Sequence, residues 1–320
     1  MPRAASVIVS TRNRAQLLRG CLESLLADRP ARDWELVLVD NGSTDDTASV
    51  VERCRARAEG VPLRYVVEER LGLSHARNRG VAEAEGDYLL FTDDDVLVQP
   101  GWVDALCDGF EDDGVAAVAG RVAPEWPGPP PRWISGRHAG LLALTDFGDA
   151  PRELAGDEHP VGASMALRAA LVRPLAAPFD TRLGHSGATY FAHEELELFR
   201  ELRNGGGRFA YRPDALVLHR IPAERVTWEA MRRAALQNGF GLRRAERLRG
   251  APPVPLRLSV PSLVRTYAAA RRGSRRNGGR DDVDPQAAGD ELRRYWELGR
   301  WVEVLLGRSP AGSWLVQRLG

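Results

Sequence analysis

The chain has 320 residues, 43% of them hydrophobic, which is enough to bury a large core and excludes global disorder. Its 44 basic residues, all arginine, balance 44 acidic ones, so no net field draws nucleic acid or an anionic membrane to it. Three scattered cysteines without a CxxC pair, no apolar leader and no membrane-length run point to a reducing, intracellular setting, with Cys21 and Cys54 as small buried hydrophobes.

Residues 1–125 alternate strand and helix patterns in the βαβ manner. Strands are predicted at 6–9, 36–39, 64–67 and 88–92, with a further one at 115–119. Helices are predicted at 17–25, 46–58 and 74–84. The near-continuous Val/Ile/Leu runs suit a parallel sheet covered on both faces. Residues 124–136 are proline-rich and carry Trp126 and Trp133, and read either as a linker or as an aromatic lid for a sugar face. Beyond lie an apolar segment at 165–167 and helices through 194–202 and 227–248. A Pro/Gly/Arg-rich stretch at 251–288, expected to be mobile around 271–280, precedes an apolar helix at 291–306.

Asp93-Asp94-Asp95 directly follow an apolar strand, where ligands bind in open α/β sheets. Carboxylates alternating there suit a hard divalent cation holding a phosphorylated substrate, although an acidic surface turn has the same composition. Asp40 also ends a strand, and its carboxylate suits the imide N–H of a uracil ring. Asn41-Gly42 supplies the turn after it, and Ser43 or Thr44 can cap the next helix. Arg77 and Asn78, in the opening turns of the next predicted helix, offer a fork and an amide to a nucleotide's phosphates and ring, or else form a solvated polar face.

The run Ser10-Thr11-Arg12-Asn13-Arg14, then VDNGSTDDT, GLSHARNRG and GDYLLFTDDD, in that order and spacing, resembles a family 2 glycosyltransferase. The resemblance is strong over 5–120, looser over 160–245, and does not reach the tail beyond 250. It implies an α/β fold of the GT-A type: a Rossmann-like nucleotide-sugar-binding half (1–125) fused to an acceptor-binding half (126–250), followed by a basic linker and C-terminal helix (251–320). It implies an inverting enzyme dependent on a nucleotide-diphosphate sugar. By position, Asp40 resembles the nucleobase-reading aspartate with Thr11 in the loop beneath it, and Arg12, Arg77, Asn78 and Asp94 join the nucleotide contacts. Asp93 takes the ribose side, and Asp95, with Asp93, matches the carboxylates that hold Mn²⁺ or Mg²⁺. His219 matches a histidine that completes the metal or diphosphate site in some members, or is structural.

A cation at the diphosphate removes the need for a proton donor on the leaving group, so one carboxylate base remains to be found. Glu194-Glu195 stand where the family shows Glu-Asp, which makes Glu195 the expected base with Glu194 as the alternative; a charged helix face is the bland reading. Gly162-Ala163-Ser164 resemble the strand lining donor sugar and acceptor, with Ser164 in place of asparagine. Arg232 and Arg233 face either diphosphate or water. In the tail, Arg271, Arg272, Arg275, Arg276 and Arg280 with Trp296 and Trp301 either seat the protein on an anionic membrane or pack as a helix on the core.

The expected partners are therefore a nucleotide-diphosphate sugar, UDP-linked in the first instance, and a saccharide, lipid-linked or small-molecule acceptor, with no nucleic acid. The expected location is cytoplasmic or peripheral at the inner membrane face, and the family's usual service is cell-envelope polysaccharide synthesis. Two other functions share part of the pattern. One is a catalytically degenerate sugar-nucleotide-binding scaffold; the other is a nucleotidyltransferase, which normally carries a Gly/Lys-rich phosphate loop where this chain has Thr11 to Arg14.

Overall fold

A computed structural model describes residues 4–58, 60–186, 189–191, 193–252, 254, 256–277 and 283–306. The chain runs β1 (Ala5–Thr11), α1 (Ala15–Ala27), β2 (Trp34–Asp40), α2 (Thr47–Arg55), β3 (Leu63–Val67), α3 (Leu73–Glu83), β4 (Tyr88–Asp93), β5 (Val96–Val98), α4 (Trp102–Asp108) and β6 (Val115–Glu125). It continues through β7 (Arg152–Glu153), β8 (Met165–Arg168), α5 (Ala169–Val172), β9 (Gly184–Ser186), β10 (Thr189–Phe191), α6 (Glu194–Asn204), β11 (Arg208–Arg220), α7 (Trp228–Leu248), α8 (Leu256–Asn277) and α9 (Pro285–Leu306). Contacts divide it into two units: one takes residues up to 125, 143–182 and 194–220, the other takes 126–142, 183–193 and those from 221 onward.

The first unit is built on one sheet in the order β3-β2-β1-β4-β8-β6-β11-β5, with β7 on β11. Strands β1 to β4 are parallel, whereas β8 runs antiparallel to both β4 and β6. The two-residue period of each strand sends side chains to opposite faces. Val7, Val9, Leu36 and Leu38 join α1, α2 and α4 on one face, while Ile8, Val37 and Val39 join α3, α5 and α6 on the other. This double burial is why these strands read as unbroken apolar runs. The chain leaves β1 toward β2 and β3, then returns through α3 to β4 on β1's other side, so the strand order reverses between β1 and β4. Ligand crevices in such sheets open at that point.

Register decides which side chains meet there. Thr11 pairs with Asp40, and Ser10 pairs with Asp93, so the ends of β1, β2 and β4 form one row. Antiparallel pairing of β5 with β11 matches Val96 to His219 and brings the histidine back to the aspartate turn.

In the second unit α9 packs along α7. A Cβ on Gly239 would lie 1.9 Å from the Trp296 carbonyl oxygen, and one on Gly299 would lie 1.9 Å from that of Leu236, so the two helices touch backbone to backbone. Around this crossing Arg232 binds buried Glu291, Arg247 binds buried Glu303, and Trp296 donates its indole N–H to Asn238. The tail helix expected to pack on the core packs, as α9, along α7. The stretch expected to be mobile is helix α8 as far as Asn277, because its Ala268–Ala270 run and long arginine side chains are good helix formers. Arg280 lies outside the described residues, and so do the side chains of Arg275 and Arg276.

Candidate active site

Two loops at the row of strand ends are stapled to each other. After β1, Asn13 adopts a left-handed φ of 53° and presents its backbone N–H to the Ser43 hydroxyl while its side-chain oxygen accepts the Thr44 N–H. Ser43 and Thr44, expected as helix caps, are taken up by this staple. Asp45 does the capping, accepting the first backbone N–H of α1, from Ala15, and that of α2, from Thr47. Asn41 fixes the third loop: its amide donates to the carbonyls of Glu68 and Arg70, and its oxygen accepts the Gly72 N–H that opens α3.

Asp40 is buried at the end of β2. One oxygen accepts the Ser43 N–H at 2.8 Å and the other the Tyr65 hydroxyl at 2.5 Å. Tyr65 was not singled out from the sequence. Its signal is the alternation of β3, since it stands opposite Leu38, two places before the partner of Asp40, and so shares the aspartate's face.

The three aspartates diverge. Asp94 points into the fold, accepting the Thr11 hydroxyl at 2.7 Å and the Arg14 guanidinium at 2.6 Å, and burial pushes its carboxyl up to about 7 against the pull of Arg14. Asp94 and Thr11 are thus bound to each other. Asp95 has Arg14 Nη2 at 2.9 Å on one oxygen and His219 Nε2 at 3.5 Å from the other. Burial alone would raise the Asp95 carboxyl, but His219 and Arg14 outweigh it and hold it below the ordinary range, so the group is ionised. Asp93, one-third exposed, faces Arg77 Nη2 at 3.5 Å, and burial raises its carboxyl despite that partner. The expected trio of Asp93, Asp95 and His219 is therefore only partly gathered: among the described residues no three acidic, His or Cys side chains converge on one point. An ionised oxygen beside an imidazole nitrogen fits two positions of a divalent cation, and Asp93 is not a third. Arg14 bridges Asp94 and Asp95 with a guanidinium whose side chain is 42% exposed, a role the sequence reading did not assign.

Arg77 links these strand ends to α6. It is buried, lies 5.5 Å over the Phe179 ring, and donates Nη1 to Glu194 at 2.7 Å, with Glu195 3.9 Å away. The two glutamates differ sharply. Glu194 is buried, and its burial, reinforced by the charge of Glu195, pushes its carboxyl up to about 8. Glu195 is more exposed, at 16% of its side chain against 5% for Glu194, and in both glutamates Oε2 is buried with no hydrogen-bond partner among the described residues. Arg12 is half-buried and has no ion-pair partner among the described residues, and its Nε is unsatisfied.

Four expectations change on the packing. Asn78 spends its amide on the backbone of Phe179, donating to its carbonyl and accepting its N–H, so it anchors a loop instead of offering its amide to a nucleotide. Gly162, Ala163 and Ser164 are buried. A Cβ on Gly162 would lie 2.0 Å from Arg77 Nη2, so its smallness serves the arginine, while Ser164 accepts the Trp102 indole N–H and Ala163 lies in the core. In the second unit Trp133 is buried and stacked on Trp228 at 4.3 Å, which removes it from any sugar face, while Trp126 is half-buried. Arg232 is paired with Glu291 and Arg233 with Glu229.

The sequence pattern of Glycosyl transferase family 2 matches residues 6–171, just over half the chain. The chain belongs to this family. It is a family 2 glycosyltransferase with a GT-A fold and a helical C-terminal region. The chain is 25% identical over 244 residues to a glucosyl-dolichyl phosphate glucuronosyltransferase of Haloferax volcanii, covering 74% of this chain and 76% of that one. It is 28% identical over 219 residues to the succinoglycan biosynthesis protein ExoM of Rhizobium meliloti, covering 67% and 66%. Among solved structures, a mannosyltransferase from Pyrobaculum calidifontis in complex with GDP-Man and Mn²⁺ superposes with a TM-score of 0.63 at 19% identity, covering 97% of this glycosyltransferase and 89% of that chain. The TarS 1–349 structure from S. aureus in complex with UDP gives 0.54 at 16% identity, covering 95% and 91%. No described helix is long and apolar enough to cross a membrane.

Proposed function

We propose that this glycosyltransferase moves a sugar from a nucleotide-diphosphate sugar, UDP-linked, to an acceptor hydroxyl by a single inverting displacement with Glu195 as the base. The observation that carries this reading is the Arg77 bridge, which draws the Glu194-Glu195 end of α6 to within one guanidinium of Asp93 at the strand-end crevice. Two of the similar solved structures bind GDP-Man with Mn²⁺ and UDP, which supports a nucleotide-linked donor.

Asp40 accepts the imide N–H of the base through a lone pair left over from Ser43 and Tyr65, and Arg12 supplies an uncommitted cation for the phosphates. Asp95 and His219 would hold a divalent cation, which when bound supplies charge neutralisation for the departing diphosphate. The acceptor oxygen forms its bond to the anomeric carbon from the face opposite the diphosphate, the carbon–oxygen bond to phosphate breaks, and the hydroxyl proton passes to Glu195. Glu194 keeps Arg77 in place through the oxygen bonded to it, and its burial favours the protonated form, which leaves the role of base to Glu195.

Thermal unfolding with UDP, GDP and TDP, each with and without Mn²⁺, tests the donor site. UDP with Mn²⁺ at ~100 times its dissociation constant adds about 2.7 kcal/mol to the wild type, and Asp95→Ala loses the metal-dependent part. Glu195→Gln keeps that stabilisation and loses turnover by about two to four orders of magnitude. If no nucleotide stabilises the protein, the chain is a transferase-like scaffold.

A further inference from the structure

Helix α8 has no role in the site above, and its charge is of one sign. In a chain of zero net charge, its 22 residues hold six arginines and no acidic residue. Ala270 and Gly273 are buried, and Gly273 lies against Glu291 and Arg294 of α9, which fixes the covered face. Away from it, Val264, Tyr267, Ala268 and Arg271 follow the i, i+3, i+4, i+7 spacing of one helix face, with Arg265 and Arg272 beside them. Val264 is 60% and Tyr267 45% exposed; they are two of the five exposed large hydrophobic residues among those described. Arg265, Arg271 and Arg272 are exposed, and none forms an ion pair among the described residues.

We propose that this face of α8 docks the protein on an anionic lipid surface. Arginines with no ion-pair partner among the described residues answer the negative potential of such a surface, each worth about a factor of five in partitioning. Val264 and Tyr267 then enter the boundary between headgroups and acyl chains, where an aliphatic side chain and an amphipathic ring leave water. The same charge would draw nucleic acid, but single strands are held by a series of stacking rings, and here one ring stands beside an exposed aliphatic side chain. The helix lies in the surface plane and does not cross it, in keeping with the absence of a membrane-length apolar helix among the described residues. This docking is independent of the donor assignment.

The test is co-sedimentation of the full chain with vesicles of phosphatidylcholine alone and with about one-third phosphatidylglycerol. The wild type is expected to pellet with the anionic vesicles only, and to be released at high salt. Arg271→Ala with Arg272→Ala is expected to weaken partitioning about thirty-fold, and Val264→Ser with Tyr267→Ser to abolish pelleting. Both pairs are on the surface, so each should keep the wild-type unfolding midpoint and the nucleotide response, and loss of that response alone bears on the donor reading. Equal pelleting with neutral vesicles, no pelleting with anionic ones, or an unchanged arginine pair overturns the proposal. So does displacement from the vesicles by an equal charge concentration of RNA, which would assign the face to nucleic acid.

Discussion

Arg77 is the residue on which the site turns, and its position is set by a hydrogen atom. Its guanidinium passes 2.0 Å from where a Cβ on Gly162 would stand, a space only glycine leaves open. The arginine cannot simply yield, because Glu194 at 2.7 Å, Asp93 at 3.5 Å and the Phe179 ring hold it from three sides. Gly162→Ala is therefore expected to push the guanidinium off Glu194 and Asp93. A misplacement of about 1 Å in a positioning group costs on the order of a hundredfold in rate. The variant should lose that much in kcat/KM while its unfolding midpoint moves by no more than a few degrees. Steady-state kinetics beside a melting curve check this, and unchanged kinetics would show that Arg77 has slack.

The elements show what a sequence can and cannot say. Strands β1, β2 and β4 were legible because both their faces are buried, and their polar ends stood out because Asp40 and Asp93–Asp95 break apolar runs. What stayed hidden was partnership across long separations. Tyr65 meets Asp40 only through the β2–β3 register, and Arg14 meets the aspartates across 80 residues. Asn78 and Ser164 look like ligands in a motif, yet spend their polar atoms on Phe179 and Trp102. The pairing of α7 with α9 was illegible for a similar reason: Gly239 and Gly299 are glycines inside helices, each costing about 1 kcal/mol relative to alanine. Their reason appears only where the backbones touch. Gly239→Ala would set a methyl 1.9 Å from the Trp296 carbonyl oxygen, with backbone and not a flexible tip in the way. Despite alanine's better propensity, the helices must part, and a loss of about 1–3 kcal/mol is expected. Chemical denaturation measures it; a gain in stability would mean that the crossing is looser than its geometry.

At the scale of the whole molecule, zero net charge means that the dependence of stability on pH is governed by individual buried groups, not by general repulsion. Glu194 is a strong contributor. Its carboxyl rises from an ordinary 4.5 to about 8 on burial beside Glu195. The folded state therefore keeps this proton over a range in which the unfolded chain has lost it, and stability falls as pH rises from about 4.5 to about 8, then levels. Glu194→Gln imitates the protonated form and still offers Arg77 an acceptor oxygen, so it escapes the fall. The variant should match the wild type near the acid end of that window and gain on it steadily toward the alkaline end, by on the order of a few kcal/mol. Urea midpoints for both proteins at three pH values across the window decide the matter, because all titrating groups away from Glu194 and its neighbours Glu195, Arg77 and Asp93 behave alike in the two. A difference that does not change with pH would mean that Glu194 is ionised throughout, held so by Arg77, and would return it to contention with Glu195 as the base.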